Sequence, residues 1–244
     1  MKLPSVASVF LVILVGIMPD TVHAAEPSDV QTAPKPSPEA KRMFGEGVPL
    51  GTLAPDFALN QIAGDDPANE HDERLGNPIR LSDFRGKKPV VLIFGSHTCP
   101  PFRRTLRSSL NKLHDHYKEH AQFLFVYVRE AHPKEHWAIA VDGVYYPDPK
   151  TLADRKSMAE TCRNTLHVRM PTVVDDVDDA VGVKYGAMPN RLYLIDVDGE
   201  VAFRSKSGPV GYQPDDVEIR LRKLISMPPQ QRALEDNSSG GAGR

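Results

Sequence analysis

The stretch KPVVLIFGSHTCPPF, residues 88–102, decides the fold of this chain. It opens with a continuous run of β-branched and aromatic residues, which is typical of a central strand buried on both faces. A helix is predicted to begin at Pro100, because proline is favoured in a first helical turn. The apolar residues of that helix form one stripe: Leu106, Leu110, Leu113 and Tyr117. The stretch thus predicts a strand, a junction carrying Cys99, and a helix.

The rest of the chain alternates between strand and helix patterns. Strands are predicted over residues 56–59, 78–81, 122–130 and 172–176, and a hairpin over residues 191–206 with an Asp198-Gly199 turn. Helices are predicted over residues 151–166, 178–186 and 213–225. This order of elements predicts an α/β domain built in layers.

The two ends of the chain differ in composition from its middle. Residues 1–24 have the basic start, apolar run and small-residue cleavage site of a secretory signal peptide, with an uncleaved N-terminal anchor as the alternative. Residues 25–47 form a Pro-rich linker and residues 227–244 a disordered tail. We therefore predict a folded domain over residues 48–226 that is exported to a periplasm or another extracytoplasmic compartment.

Composition narrows the classes of function. The net charge of −2 gives no electrostatic reason to expect nucleic acid as a partner. The HYKEH sequence, residues 116–120, has the form of a zinc peptidase motif, but it lies at a polar helix end without a downstream ligand set. We predict no metal site and no bound cofactor.

Cys99 is the strongest candidate for a reactive group. At a helix N-terminus the partial positive charge stabilises a thiolate, and Arg103 and Arg104 add to that field, so a lowered pKa is expected. Phe102 stands where a dithiol exchanger would carry its second cysteine. The chemistry predicted is nucleophilic attack by one cysteine, with an external thiol as reductant.

Several sequence blocks carry a family resemblance. APDF and LSDFRGKKPVVLIF resemble the thioredoxin and peroxiredoxin superfamily. FGSHTCPPF, VYVREAHPKEHW, PTVVDDVDDAVGVKYGAMPNRLYLI and GPVGY together resemble, in order and spacing, the iodothyronine deiodinase family. The resemblance implies a thioredoxin-like fold of the peroxiredoxin and deiodinase type, with a central mixed sheet flanked by helices. It also implies an oxidoreductase with thyroxine 5'-deiodinase activity, the reductive removal of iodide from an aromatic iodothyronine.

The resemblance also implies roles for individual residues. Cys99 takes the place of the family's selenocysteine nucleophile, His132 that of its proton-handling histidine, and Glu130 that of the glutamate which supports it. Pro189 takes the place of the superfamily's cis-proline that faces the nucleophile. Supporting residues within the matched blocks are Thr98 and Arg191.

The chemistry of the residues fits these roles. Reducing a carbon–halogen bond on a phenol ring requires a soft nucleophile to take the halogen and an acid to protonate the carbon. His132 comes just after a predicted central strand, at the edge where sites form in open α/β sheets. Glu130, two residues earlier, is expected to orient the His132 ring.

The sequence departs from the vertebrate members in two further places. His97 stands where they commonly carry a cysteine, and Pro149 where they carry a histidine shortly before LADR. His97 could share a strand face with Cys99, where a cationic imidazole would lower the thiol pKa, or be a polar loop residue.

The second cysteine has two readings. Cys162 lines up with Met158 and Leu166 on its helix, which favours a core residue. The alternative is a resolving thiol that condenses with an oxidised Cys99.

Three functions compete at this point. The first is thiol-dependent dehalogenation of a halogenated aromatic substrate. The second is a one-cysteine peroxidase acting on peroxide, or a general thiol reductase; the peroxidase signature is incomplete, with Leu92 and Ser96 in place of its Pro and Thr. The third is an exported binding module in which Cys99 is unreactive. The vertebrate members of the family dimerise, and a homodimer stays open here.

Overall fold

The computed structural model describes residues 44–62, 78–208 and 210–226. The predicted signal peptide, most of the predicted linker and the predicted tail lie outside these residues. The last part of the linker is described: the Arg191 guanidinium donates to the carbonyls of Gly45 at 2.8 Å and Glu46 at 2.7 Å, so this segment lies against the domain. Within the described ranges, no helix is both long and apolar enough to cross a membrane.

A five-stranded mixed sheet forms the centre of the domain. Its strands are β3 (Val90–Gly95), β4 (Gln122–Tyr127), β5 (Thr172–Val174), β6 (Arg191–Ile195) and β7 (Val201–Arg204). They lie in the order β5-β4-β3-β6-β7, with β3, β4 and β5 parallel and β6 and β7 antiparallel to their neighbours. β1 (Ala58–Asn60) and β2 (Pro78–Arg80) pair as a separate antiparallel ribbon. Every residue of β3 is buried, as its unbroken apolar sequence predicts.

Helices cover the sheet. They are α1 (Pro100–Thr105), α2 (Asn111–Tyr117), α3 (Leu152–Leu166), α4 (Ala180–Tyr185) and α5 (Pro214–Ser226), with a 3-10 turn at Leu81–Phe84. The predicted apolar stripe of the first helix is buried. Between α1 and α2 the helix widens into a π-helical turn, Leu106–Leu110, which the periodicity does not reveal. The Thr105 hydroxyl donates there to the carbonyls of Pro101 and Phe102, in competition with the backbone donors.

Two apolar layers lie on opposite faces of the sheet, because successive side chains of a strand point to opposite sides. On one face Val91 and Ile93 pack with Phe102, which stacks on Phe125 at 4.7 Å between ring centroids. On the other face Leu92 and Phe94 pack in a second cluster. The strand that leads to Cys99 is thus held from both sides.

The segment before β2 runs along both outer strands of the sheet. On β7, the Gly51 N–H donates to the Val201 carbonyl at 3.0 Å, and the Val201 N–H donates to the Thr52 carbonyl at 2.9 Å. On β5, the Ile62 N–H donates to the Thr172 carbonyl at 3.0 Å. One segment therefore makes backbone hydrogen bonds with the outer strands at both sides of the sheet.

Candidate active site

The candidate site lies where β3 and β4 end. The two strands are parallel neighbours with Gly95 opposite Tyr127, so the loops that follow them meet at one edge of the sheet. Cys99 is the N-cap residue of α1, followed directly by two prolines in the first turn. Its extended backbone and the hydrogen bond from its N–H to the Ser96 carbonyl, 3.2 Å, end the loop at the predicted junction.

The environment of the Cys99 thiol differs from the expected one. The side chain is fully buried, with 0% exposure, and this burial raises the thiol pKa to about 11. The Phe102 N–H, the Asn190 amide and Arg103 each lower the pKa, while Glu130 raises it. The helix terminus and Arg103 therefore act in the predicted direction, but desolvation outweighs them. The expectation of a lowered pKa is wrong for this buried arrangement.

Glu130 is the centre of a buried hydrogen-bond network. One carboxylate oxygen accepts from the Thr98 N–H at 2.8 Å and from the Thr98 hydroxyl at 2.6 Å, and the other accepts from the Tyr127 hydroxyl. Burial raises the pKa of Glu130, and these donors offset part of the rise. The network ties the loop carrying the cysteine to the loop carrying the histidine.

His132 joins this network through its backbone rather than its ring. Its N–H donates to the Thr98 hydroxyl at 3.0 Å, while its ring Nδ1 lies 3.1 Å from the Trp137 carbonyl. Since a carbonyl only accepts, Nδ1 carries the proton. The expectation that Glu130 orients the ring is therefore wrong. The Glu130 carboxylate accepts hydrogen bonds from Thr98 and Tyr127, and the Trp137 carbonyl holds the imidazole instead.

Aromatic side chains of the loop after β4 cover both histidines. The Trp137 ring lies edge-on to His132 with centroids 4.8 Å apart, and Tyr146 lies edge-on to His97 at 4.7 Å. Burial lowers the pKa of His132 as well as that of His97. Trp137 itself remains 78% exposed, so an indole lies on the surface beside the candidate proton-handling residue.

His97 is neutral rather than cationic. Its side chain has 0% exposure, and among the described residues neither ring nitrogen has a hydrogen-bond partner. Desolvation, with help from Arg103, lowers its pKa to about 4. The suggested role as a cation that acidifies Cys99 is therefore wrong, because burial and a neighbouring guanidinium both oppose protonation.

Pro189, which precedes the RLY sequence, and Arg191, which begins it, have different roles. The Met188-Pro189 peptide bond is cis, as predicted. Arg191 begins β6, and its guanidinium holds the carbonyls of Gly45 and Glu46. Arg191 therefore holds residues 45–46 against the domain.

Cys162 lies in the same apolar cluster as Cys99, on α3. Both thiols are free and fully buried. Burial raises the Cys162 pKa well above its usual value. The core location predicted from its helical stripe is confirmed, while its role as a resolving thiol stays a prediction.

Sequence reasoning missed three residues of the site: Asn190, Tyr127 and Trp137. The Asn190 side-chain amide donates to Cys99 Sγ at 2.9 Å. Its place next to the predicted cis-proline was the available signal. Tyr127 is a β4 aromatic residue whose sequence context indicates only a core position. Trp137 contributes a backbone carbonyl, which no residue-type pattern reveals.

Comparison with known proteins identifies the family. The model of the iodothyronine deiodinase family matches residues 40–225. The chain belongs to the iodothyronine deiodinase family. The resemblance predicted from the sequence blocks is thereby confirmed, and it supports the prediction of an oxidoreductase.

Individual relatives agree with this assignment. A type I iodothyronine deiodinase from Xenopus laevis is 35% identical over 140 residues, 57% of this chain and 54% of that protein. A thyroxine 5-deiodinase from Gallus gallus is 39% identical over 180 residues, 73% of this chain and 64% of that protein. The chain thus spans less than two thirds of the length of these relatives.

Solved structures agree on the fold. An uncharacterized conserved protein from Geobacillus kaustophilus superposes with a TM-score of 0.51 at 18% identity, covering 72% of this chain and 82% of that one. A hypothetical protein from Sinorhizobium meliloti gives the same TM-score at 17% identity, covering 73% and 85%. With the mixed sheet, the cysteine at a helix start and the cis-proline, the predicted thioredoxin-like α/β fold is confirmed.

Proposed function

We propose that this chain is a thiol-dependent reductive dehalogenase that removes iodide from an iodinated aromatic compound. Cys99 is the nucleophile, His132 handles the proton, and an external thiol supplies the electrons. The observation that carries the proposal is the hydrogen-bond chain from Glu130 through Thr98 to the His132 backbone. These hydrogen bonds hold the loop of Cys99 and the loop of His132 in one arrangement. The protein that contains them is a member of the deiodinase family.

The reaction balances with one substrate and two thiols. The Cys99 thiolate attacks the iodine, a sulfur–iodine bond forms as the carbon–iodine bond breaks, and the ring carbon keeps the electron pair and takes a proton. The carbon is reduced and the sulfur is oxidised to a sulfenyl iodide. One external thiol then displaces iodide to give a mixed disulfide, and a second releases Cys99 as a thiol. The net change converts the aryl iodide and two thiols into arene, disulfide, iodide and a proton.

The tautomer of His132 defines its part in this sequence. With Nδ1–H held by the Trp137 carbonyl, the neutral ring presents Nε2 as a proton acceptor. Burial lowers the pKa of His132, so the neutral form predominates at neutral pH. His132 therefore accepts a proton first, from the Cys99 thiol or from a substrate phenol, and returns it to the ring carbon.

One feature favours an aromatic substrate over peroxide. The exposed Trp137 ring beside His132 offers an apolar face on which an aromatic ring can pack. The thiol pKa, raised by burial to about 11, does not distinguish the two reactions, because both begin with the thiolate. Since the sulfur is fully buried, substrate entry has to displace part of its covering.

The test measures free iodide from the purified chain supplied with thyroxine or with an iodinated phenol, each with dithiothreitol. Iodide release that disappears in Cys99→Ser and persists in the matched control Cys162→Ser supports the proposal. Comparing the two substrates separates the reaction type from specificity for the hormone. Absence of iodide release, together with Cys99-dependent peroxide consumption, would replace the proposal by a peroxidase.

Export is a further part of the proposal. The signal-like residues 1–24 support it. Expression of the full chain in a Gram-negative host, followed by N-terminal sequencing of the periplasmic fraction, tests it. A mature chain that begins at Ala25 is expected, and an uncleaved chain retained with membranes would favour the N-terminal anchor instead.

A further inference from the structure

Asn190 is a fully buried amide whose two polar atoms both have partners. Its Nδ2 donates to Cys99 Sγ at 2.9 Å, and its Oδ1 accepts from the Gly208 N–H at 2.9 Å. A backbone N–H can only donate, so the atom facing Gly208 is the oxygen. The orientation of the amide is therefore fixed, and its N–H points at the sulfur.

The neighbouring backbone is shaped to keep this amide in place. A Cβ atom built on Gly208 would lie 2.5 Å from Asn190 Oδ1, so even an alanine there would force the amide to shift. Glycine at this position lets the loop before α5 approach the amide closely enough for the Gly208 N–H to bond it. Asn190 itself lies between Pro189 and Arg191, the first residue of β6.

We infer that Asn190 is a further catalytic residue, which stabilises Cys99 as a thiolate by donating its amide hydrogen to the sulfur. The inference rests on the proposed function, since it takes Cys99 as the nucleophile. A neutral thiol gains little from an added donor, whereas a buried thiolate has lost its hydration and gains strongly from one. Asn190 thus lowers the barrier to forming the reactive species in a site where burial opposes it.

Other groups around the sulfur also change the pKa of Cys99. Burial raises the Cys99 pKa and nearby Glu130 raises it further, while the Phe102 N–H and Arg103 lower it. Burial raises the pKa of Tyr212 and that of Cys162, and Cys99 adds to both rises. Arg103 also pairs with Asp142 at 3.8 Å. Variants of Asn190 leave all of these groups in the sequence, so a change in acidity reports the amide.

The experiment measures the pH dependence of Cys99 alkylation by iodoacetamide between about pH 7 and pH 12, with peptide mass mapping to score Cys99 apart from Cys162. Asn190→Leu removes the donor at similar side-chain volume and adds no charge beside the sulfur, whereas a carboxylate there would raise the thiol pKa by its own charge. The rate at a given pH below the wild-type pKa is expected to fall about 10- to 100-fold, through a rise in apparent pKa of about one unit or more. Because the range passes the wild-type pKa of about 11, a moved inflection reports a change in acidity and a lowered plateau reports a change in access.

A matched control and a second variant keep the outcome decisive. Asn111 has the same two-sided arrangement at the start of α2, donating to the His167 carbonyl and accepting from the Arg169 N–H. Asn111→Leu is expected to leave the Cys99 profile unchanged. Gly208→Ala is expected to shift the profile in the same direction by a smaller factor, and it reports on the amide if Asn190→Leu does not fold.

Two results would overturn the inference: an unchanged apparent pKa in folded Asn190→Leu or Gly208→Ala, or a wild-type Cys99 that is not alkylated at any pH. The assay contains no iodinated aromatic compound, so it fails independently of the proposed function. A shift in the Cys99 pKa without iodide release by the wild type would support Asn190 as the thiolate donor and overturn the dehalogenase proposal. Iodide release without a pKa shift would support the dehalogenase proposal and overturn the role of Asn190.

Discussion

Cys99 and Cys162 share the same degree of burial but not the same surroundings. Both thiols are free, fully buried and part of one apolar cluster, and burial raises the pKa of both. Cys99, however, lies at a helix start beside a donor amide, whereas Cys162 lies within α3, where Arg103 offsets part of the rise in its pKa. The difference teaches that the polar groups within reach of a sulfur, rather than its exposure, mark a candidate nucleophile.

Removing each sulfur in turn is expected to give the largest difference in activity between variants of the two cysteines. Cys99→Ala is expected to reduce iodide release by at least about 1000-fold, because the group that takes the halogen is gone. Cys162→Ala is expected to change the rate less than about threefold, and to lower the free energy of unfolding by about 1 kcal/mol through the cavity it leaves. Initial rates with excess dithiothreitol and urea denaturation measure the two effects.

A particular pattern in Cys162→Ala would break the comparison. If a single turnover is normal but repeated turnover stops, Cys162 acts as the resolving thiol. Equal losses in both variants would mean that the polar surroundings of Cys99 do not distinguish it.

The neighbouring histidine provides the next test. His132→Gln keeps a hydrogen-bonding side chain but cannot shuttle a proton, so kcat is expected to fall by about 100- to 10,000-fold with KM little changed. His114→Gln is the matched control, since His114 is also a partly buried histidine but lies on α2. Steady-state iodide release gives both constants. A loss confined to KM would make His132 a binding residue only.

His97 gives a test of a buried imidazole whose ring nitrogens have no hydrogen-bond partner in the described part of the chain. Its pKa of about 4 lies below the unfolded value near 6.5, so the unfolded chain binds the extra proton first as pH falls. The contribution of neutral His97 is complete above about pH 6.5 and is lost as pH falls toward 4, by up to about 3 kcal/mol. His97→Gln is expected to be less sensitive to acid by that amount.

Urea unfolding of the wild type and His97→Gln at several pH values measures this difference. The comparison between the two proteins is essential, because Asp175, whose pKa burial raises to about 6, has the opposite effect on stability. Parallel curves for the two proteins between about pH 4 and 6.5 would contradict the buried neutral imidazole.

The smallest expected effect concerns the link between the two loops. Thr98→Val keeps the shape of the side chain but removes the hydroxyl that donates to Glu130 and accepts from the His132 N–H. A loss of about 1–3 kcal/mol in unfolding free energy is expected, because buried partners are left unpaired. Thr105→Val, which removes a hydroxyl that donates to the Pro101 and Phe102 carbonyls of its own helix, is the control. Equal losses would show that the link has no special weight.

Sequence reasoning reached the positions of these groups better than their electrostatics. The strand, the junction at Cys99 and the helix stripe follow from local periodicity, and the structure agrees with them. Burial of the sulfur depends on residues distant in sequence, such as Asn190, and this burial reversed the expected pKa shift. The same cause made His97 neutral.

The orientation of His132 shows a second kind of limit. The spacing of Glu130 and His132 suggests a carboxylate–imidazole pair, but the chain turns after Tyr127, and the carboxylate faces Thr98. The Trp137 carbonyl that holds the ring belongs to a loop whose path no periodic pattern describes. Spacing identifies which residues come near one another, while tertiary contacts decide which atoms meet.

The segment that bonds to β7 at one side of the sheet and β5 at the other has a consequence for self-association. An uncovered outer strand offers unpaired backbone groups to another chain and invites aggregation. Here Gly51, Thr52 and Ile62 occupy part of those groups on Val201 and Thr172. Residues 51–62 thus cover part of both outer strands and oppose edge-to-edge polymerisation. Loss of this segment is expected to lower solubility before it affects the chemistry at Cys99.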